Sequence, residues 1–201
     1  PIGRMSQLFL IRHGESLLGS QGRYAGHADT PMTAKGRRQI LRLRRRFRRL
    51  RFDCIVSSDL LRCRQTAEIL APDQEVAYTS RLRELNFGRW DGRTADECQR
   101  LSPVRFLRWM ENPRDVVPPG GESLNHLSRR VRALASRLAG RFPDGLIALV
   151  THGGPIRALL ARNLAEFWNI SVSPGAFIEC RWDGNPRRAG RMNVRNMVTA
   201  G

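Results

Sequence analysis

Short, wholly apolar runs alternate along this chain with segments in which apolar residues recur every three or four positions. Leu8–Ile11, Cys54–Val56 and Leu146–Val150 are runs of the kind expected of strands covered on both faces. Between them, Ile40, Leu43, Phe47 and Leu50 fall on one face of a helix that Thr33 is placed to cap. Leu60, Cys63, Ala67 and Leu70 define a second helix, capped by Ser58 or Asp59. Glu75–Thr79 reads as a further strand, and Leu124, Leu127, Val131, Leu134 and Leu138 mark a long amphipathic helix. Pro155 suits the first turn of the next helix, which turns Ile156, Leu159, Leu160 and Leu164 inward. Phe177–Trp182 and Met192–Val198 alternate like a closing pair of strands. The alternation predicts an α/β fold, a three-layer α/β/α sandwich around a mostly parallel sheet with a small cap region. Residues 5–201 are expected to form a single domain. Residues 81–121, which hold Trp90, Trp109 and four of the eleven prolines, form its cap or lid. Pro1–Arg4, ahead of Met5, reads as an upstream extension and is left out of that domain.

At 201 residues the chain can bury a sizeable core. No apolar run is long enough to cross a bilayer, and no signal-peptide pattern is visible. The formal net charge is +17, and Lys35 is the only lysine. Such a balance favours acidic partners, small phosphates included. The segment Lys35–Arg51 carries ten basic residues and no acid. It holds one aromatic residue, Phe47, on the apolar face, so it lacks the stacking platforms of a single-strand binder. A basic nucleic-acid-binding protein is therefore the weaker reading, and no specific nucleic-acid or membrane partner is expected. Cys54, Cys63, Cys98 and Cys180 form neither a CxxC pair nor a cluster with histidine. That pattern predicts reduced thiols in the cytoplasm and no zinc site.

Two of the four histidines share one local grammar. Leu8–Ile11 runs into Arg12-His13-Gly14, and Leu146–Val150 into Thr151-His152-Gly153-Gly154. Each histidine thus leaves the carboxyl end of a buried strand, where parallel α/β sheets place their ligands. The helix opening near Gly154 offers free N–H groups to an anion. Arg12 and Arg62 also follow strand ends, where they could neutralise a phosphoryl group. Glu84 sits among Leu82, Leu85, Phe87 and Trp90, surroundings that favour the protonated form of a carboxyl and suit a proton donor.

Five ordered segments carry a resemblance. They are Arg12-His13-Gly14-Glu15-Ser16, Ser57-Ser58-x-x-x-Arg62-x-x-Gln65-Thr66-Ala67, Arg83-Glu84-x-x-Phe87-Gly88-x-Trp90-x-Gly92, Pro119-Gly120-Gly121-Glu122-Ser123 and Thr151-His152-Gly153-Gly154-x-Ile156-Arg157. Together they resemble the histidine phosphatase (phosphoglycerate-mutase-like) superfamily from about Leu8 to Arg162. Gly22–Thr33 looks like the matching segment of α-ribazole phosphatases. The resemblance implies a phosphoric monoester hydrolase of the histidine acid phosphatase type, acting on a small-molecule phosphate monoester, with α-ribazole 5′-phosphate the first substrate to test. In that reading His13 attacks phosphorus, Arg12, Arg62 and His152 bind the phosphoryl oxygens, Gly153 adds a backbone N–H and Glu84 protonates the leaving oxygen. No metal and no cofactor are implied. One position departs from the family: Gly19 stands where an asparagine often contacts phosphate, and Ser20 is the candidate replacement. A broad-specificity phosphatase and a phosphoglycerate mutase are the enzymatic alternatives. The mutases that the chain resembles carry a longer insertion than the 67 residues between Glu84 and His152. A homodimer stays open.

Overall fold

The computed structural model describes residues 5–182, 185 and 191–192. Strand β1 is Ser6–Arg12, followed by the short helix α1, Leu17–Ser20, and by α2, Ala34–Phe47. Strand β2 is Cys54–Ser58, α3 is Leu61–Leu70 and β3 is Ala77–Thr79. Two single-turn 3₁₀ segments, Ser80–Leu82 and Gly88–Trp90, lead to α4, Ala95–Leu101, and α5, Pro103–Glu111. The remaining elements are α6, Leu124–Arg141; β4, Leu146–Thr151; α7, Gly153–Leu160; α8, Leu164–Asn169; β5, Phe177–Trp182; and β6, Arg191–Met192. The sheet runs β3-β2-β4-β1-β5-β6, parallel from β3 to β1 and antiparallel through β5 and β6.

Successive residues of the central strands alternate between two buried layers, as the pleat requires. Leu8, Leu10, Val56, Ile147 and Leu149 face α6 and α7, where they meet Leu127, Val131, Ile156 and Leu159. Phe9, Ile11, Ile55, Ala148 and Val150 face α2 and α3, against Ile40, Leu43, Phe47, Cys63 and Ala67. Each large apolar side chain buried in this way contributes roughly 1.5–3 kcal/mol. The expected three-layer α/β/α arrangement is thus observed. The segment 81–121 joins the α6 side: Leu82, Leu85, Trp90, Cys98, Phe106 and Trp109 belong to one core with Leu127 and Val131.

Thr33 caps α2 as expected, its side chain accepting from Gly36 N. Leu50 lies past the end of that helix and packs half-buried on the same core. The start of α3 differs from expectation. Its N-cap is Leu60, which has no capping side chain. Asp29, 32 residues upstream, accepts from Leu61 N at 2.6 Å, while Asp59 turns away to pair with Arg83 at 2.6 Å. Ser58 contributes only a long 3.4 Å acceptance from Leu60 N. Leu164 belongs to α8 rather than to the α7 face. The expected strand Met192–Val198 is represented by Arg191–Met192 pairing with β5; its other residues lie outside the described ones.

Candidate active site

The register of the sheet brings the two histidines together. Strands β1 and β4 are parallel neighbours with Arg12 opposite Thr151, so the next residues, His13 and His152, emerge side by side. A backbone bond from His13 N to Thr151 O, 3.0 Å, extends the pairing. Their rings lie 5.0 Å apart, centre to centre, in an edge-to-face arrangement. His13 is 6% exposed and His152 fully buried.

Hydrogen-bond partners settle the protonation of both rings. His13 Nδ1 lies 2.7 Å from Gly14 O, an atom that can only accept. In the neutral ring Nδ1 therefore carries the proton, and Nε2 keeps its lone pair. Arg62 Nε donates toward His13 Nε2 at 3.3 Å and toward His152 Nδ1 at 3.2 Å. With Nδ1 of His152 accepting, its Nε2 donates to Ser58 Oγ at 2.9 Å. Burial holds both imidazoles well below the usual histidine range, and the neighbouring Arg62 and Arg12 guanidiniums press in the same direction. Cys63 packs under His152 with Sγ 3.4 Å from Nε2, and burial pushes its thiol up to about 12, so it stays protonated.

Both arginines are held without a carboxylate: among the described residues neither Arg12 nor Arg62 forms an ion pair. Arg62 is fully buried. Its terminal nitrogens donate to the carbonyls of Ala28 (2.9 Å), Ala25 (2.9 Å) and Gly26 (2.8 Å). Arg12 donates from NH1 to Val172 O and lies against Gly153, while its buried Nε has no partner among the described residues. Burial lowers the pKa of both guanidiniums. Two desolvated cations around two neutral imidazoles leave the site short of negative charge, which is a demand for an anion.

Glu84 supplies the carboxylate, and its position differs from expectation. The helix N-terminus at Gly154, expected to stand open to a ligand, is occupied by Glu84 itself: Gly154 N lies 3.1 Å from each carboxylate oxygen. Leu85 N adds a third bond at 2.9 Å. A carboxylate at the positive end of a helix is electrostatically favoured. The fit leaves no room for a side chain at 154, since a Cβ there would overlap Glu84 Oε1. The Glu84 carbonyl in turn accepts from His27 Nε2 (3.1 Å) and Arg130 (2.9 Å), and Glu122 grips Arg130 through two nitrogens.

Arg12, His13, Arg62, His152 and Gly153 are thus gathered by direct contacts, and Glu84 joins them over the N-terminus of α7. Ser20 is not gathered with them: it is exposed and its hydroxyl donates to Leu17 O at 2.8 Å. The structure adds Ser58, Cys63 and Thr66, whose hydroxyl accepts from Gly14 N and donates to Arg62 O. All three lie in the segment that carries Arg62, but apart from the local bond of Thr66 to Arg62 O these partners, Gly14 N and the His152 ring, are more than fifty residues away, which no local spacing reveals.

The neutral state of the rings has a pH consequence. For His13 and His152 the folded pKa is depressed, so below about pH 6.5 the unfolded chain binds protons that the folded one refuses. Their contribution to stability is complete above that pH and is lost as pH falls below it. NMR of ring-labelled protein should show both imidazoles neutral from about pH 8 to about pH 6, with His13 as the Nδ1–H tautomer. Titration of either ring near pH 6.5 would contradict the arrangement.

Two neutral imidazoles, the fully buried Arg62 guanidinium and the partly buried Arg12 thus meet at the carboxyl ends of parallel strands in an α/β protein. Residues 8–195 match the family model described as Histidine phosphatase superfamily (branch 1), and the chain belongs to that superfamily. It is 34% identical to phosphoserine phosphatase 1 of Hydrogenobacter thermophilus, over 86% of this chain and 85% of that one. It is 36% identical to the protein named probable phosphoglycerate mutase GpmB of Salmonella choleraesuis, over 89% and 88%. Among solved structures it resembles the α-ribazole phosphatase of Shigella flexneri, with a TM-score of 0.79 at 28% identity, covering 87% of this chain and 89% of that one.

Proposed function

We propose that this protein is a phosphomonoesterase that works through a phosphohistidine on His13, with α-ribazole 5′-phosphate as the first substrate to test. One observation carries the reading: His13 Nε2, unprotonated because Nδ1 carries the ring proton toward Gly14 O, accepts from the Arg62 guanidinium in a site short of negative charge. A phosphate monoester brings that negative charge. Arg12, Arg62 and His152 bind the non-bridging oxygens, and the charge that develops on them in transfer is met by groups already in place. The Gly153 backbone N–H adds a donor at the start of α7. Glu84 gives a proton to the departing alcohol oxygen, then takes one from the water that releases His13. Covalent transfer divides one difficult displacement into two easier ones. The cations that a metal would otherwise supply are the two arginines. Cys54, Cys63, Cys98 and Cys180 are all free thiols, which suits work in a reducing compartment such as the cytoplasm.

Hydrolysis is preferred to mutase action because a mutase must keep its phosphohistidine from water while an intermediate turns round. The 67 residues between Glu84 and His152 already contain α4, α5 and α6. The α-ribazole proposal draws on Gly22–Thr33 and on the Shigella likeness. A panel of α-ribazole 5′-phosphate, phosphoserine, 3-phosphoglycerate with its bisphosphate primer, and nitrophenyl phosphate should release inorganic phosphate in excess EDTA, fastest from α-ribazole 5′-phosphate. Loss of all activity in EDTA with recovery in magnesium would refute the metal-free mechanism. Formation of 2-phosphoglycerate faster than any phosphate release, followed by phosphorus NMR, would favour the mutase.

A further inference from the structure

Arg62 is a fully buried cation without a carboxylate partner in contact, yet a desolvated charge is costly unless something balances it. The balance is visible one peptide away. Asp91 follows the 3₁₀ turn Gly88–Trp90 and reaches the loop between α1 and α2. Its Oδ1 accepts from Gly26 N at 2.7 Å and its Oδ2 from Ala28 N at 2.6 Å. The Gly26 N–H belongs to the same peptide unit as the Ala25 carbonyl, and that carbonyl accepts from Arg62 at 2.9 Å. Carboxylate, peptide and guanidinium therefore form a line in which the peptide dipole points its positive end at Asp91 and its negative end at Arg62. The other two carbonyls on Arg62, from Gly26 and Ala28, belong to residues whose own N–H groups are bound to Asp91.

We propose that Asp91 is the counter-charge and positioning residue of Arg62, acting through the Ala25–Gly26 peptide. The device gives the phosphoryl site a cation that is held in place but not neutralised. A carboxylate in direct contact with the guanidinium would compete with the substrate's oxygens for the same N–H groups. Set one peptide further off, Asp91 steadies the charge from behind, while the Nε–H, shared between His13 Nε2 and His152 Nδ1, stays on the side of the site where an arriving phosphoryl oxygen can take it over. Asp91 is among the carboxylates whose field favours the charged guanidinium against the opposing effect of burial. The loop also requires Gly26, since a Cβ there would collide with Leu85 O.

The inference rests on the reading of Arg62 as a phosphoryl-binding group, and vanadate separates the two. Inhibition of the wild type by vanadate, and its loss in Arg62→Ala, test that underlying reading. Asp91→Asn keeps the shape but removes the charge and turns an amide donor toward a backbone N–H. It should weaken vanadate inhibition about tenfold, a loss of about 1.4 kcal/mol. Glu97→Gln is the control: Glu97 caps α4 and pairs with Arg23 on the same segment, so its loss should lower thermal stability without moving vanadate affinity. An Asp91→Asn enzyme that binds vanadate as the wild type does, or a Glu97→Gln enzyme that loses as much, would overturn the proposal. Should Asp91→Asn fail to fold, the Asp91→Asn/Arg62→Met double variant decides. Recovery of folding supports the relay, because the unbalanced cation is then gone; persistent failure overturns it.

Discussion

Replacement of His13 by alanine is expected to lower phosphatase activity by roughly 10⁴-fold or more, the scale seen when a covalent nucleophile is removed. The argument is geometric. His13 Nε2 carries no proton, its ring is fixed by the 2.7 Å bond to Gly14 O, and two flanking guanidiniums add to burial in keeping the ring neutral. His152 is no substitute, because its Nε2 carries the proton that it donates to Ser58 and its ring is fully buried. In the wild type, rapid mixing and quenching should trap a phosphoenzyme that is labile to acid and stable to alkali, as a phosphoramidate is. His13→Ala should form none. The variant should remain folded, since the side chain removed is small and its backbone bond to Thr151 O survives. Equal hydrolysis by the two proteins would place the nucleophile elsewhere.

Glu84→Gln should reduce the rate by roughly 10²–10⁴ for esters of ordinary alcohols. The amide oxygen can still accept from Gly154 N, which in the native protein donates to both carboxylate oxygens, so the loss reports on the proton more than on the fold. Nitrophenyl phosphate provides the contrast, because its oxygen departs without a proton. Against that ester the loss should shrink severalfold or more. An equal loss for both esters would mean that Glu84 serves to hold the start of α7 rather than to protonate a leaving group.

Much of this site was legible in the residue order. His13 and His152 announce themselves because each follows a wholly apolar run and precedes glycine, a local arrangement that needs no knowledge of the fold. Arg12 and Arg62 are marked by their places after strands, and by the ordered motifs that resemble the superfamily. Glu84 was legible as a carboxyl among apolar neighbours, but its seat on the N-terminus of α7 was not. That seat depends on a contact across 70 residues, and it changes the expectation for Gly154, whose N–H is taken by the protein's own carboxylate. Asp59 looked like the cap of α3, yet Asp29 provides the acceptor and Asp59 pairs with Arg83. Ser20 looked like a substitute phosphate contact, yet its hydroxyl closes on Leu17 O. Small polar side chains of this kind have several partners within reach, and sequence spacing does not rank them.

The order of the central strands and of helices α2, α3, α6 and α7, and the kinds of groups at the strand ends, follow from the sequence alone, because burial acts on periodicity and periodicity is local. The short helices α1, α4, α5 and α8 carry too few turns to announce themselves. Only the tertiary structure decided how those groups are charged and aimed. The parallel register that sets Arg12 opposite Thr151 puts the two imidazoles side by side. The path of the loop at 25–28 turns three carbonyls onto a buried guanidinium, and Asp91 fixes that path from more than sixty residues away. Backbone carbonyls and amides are the same in every residue, so their part in the site carries no mark in the sequence and appears only when the chain has folded.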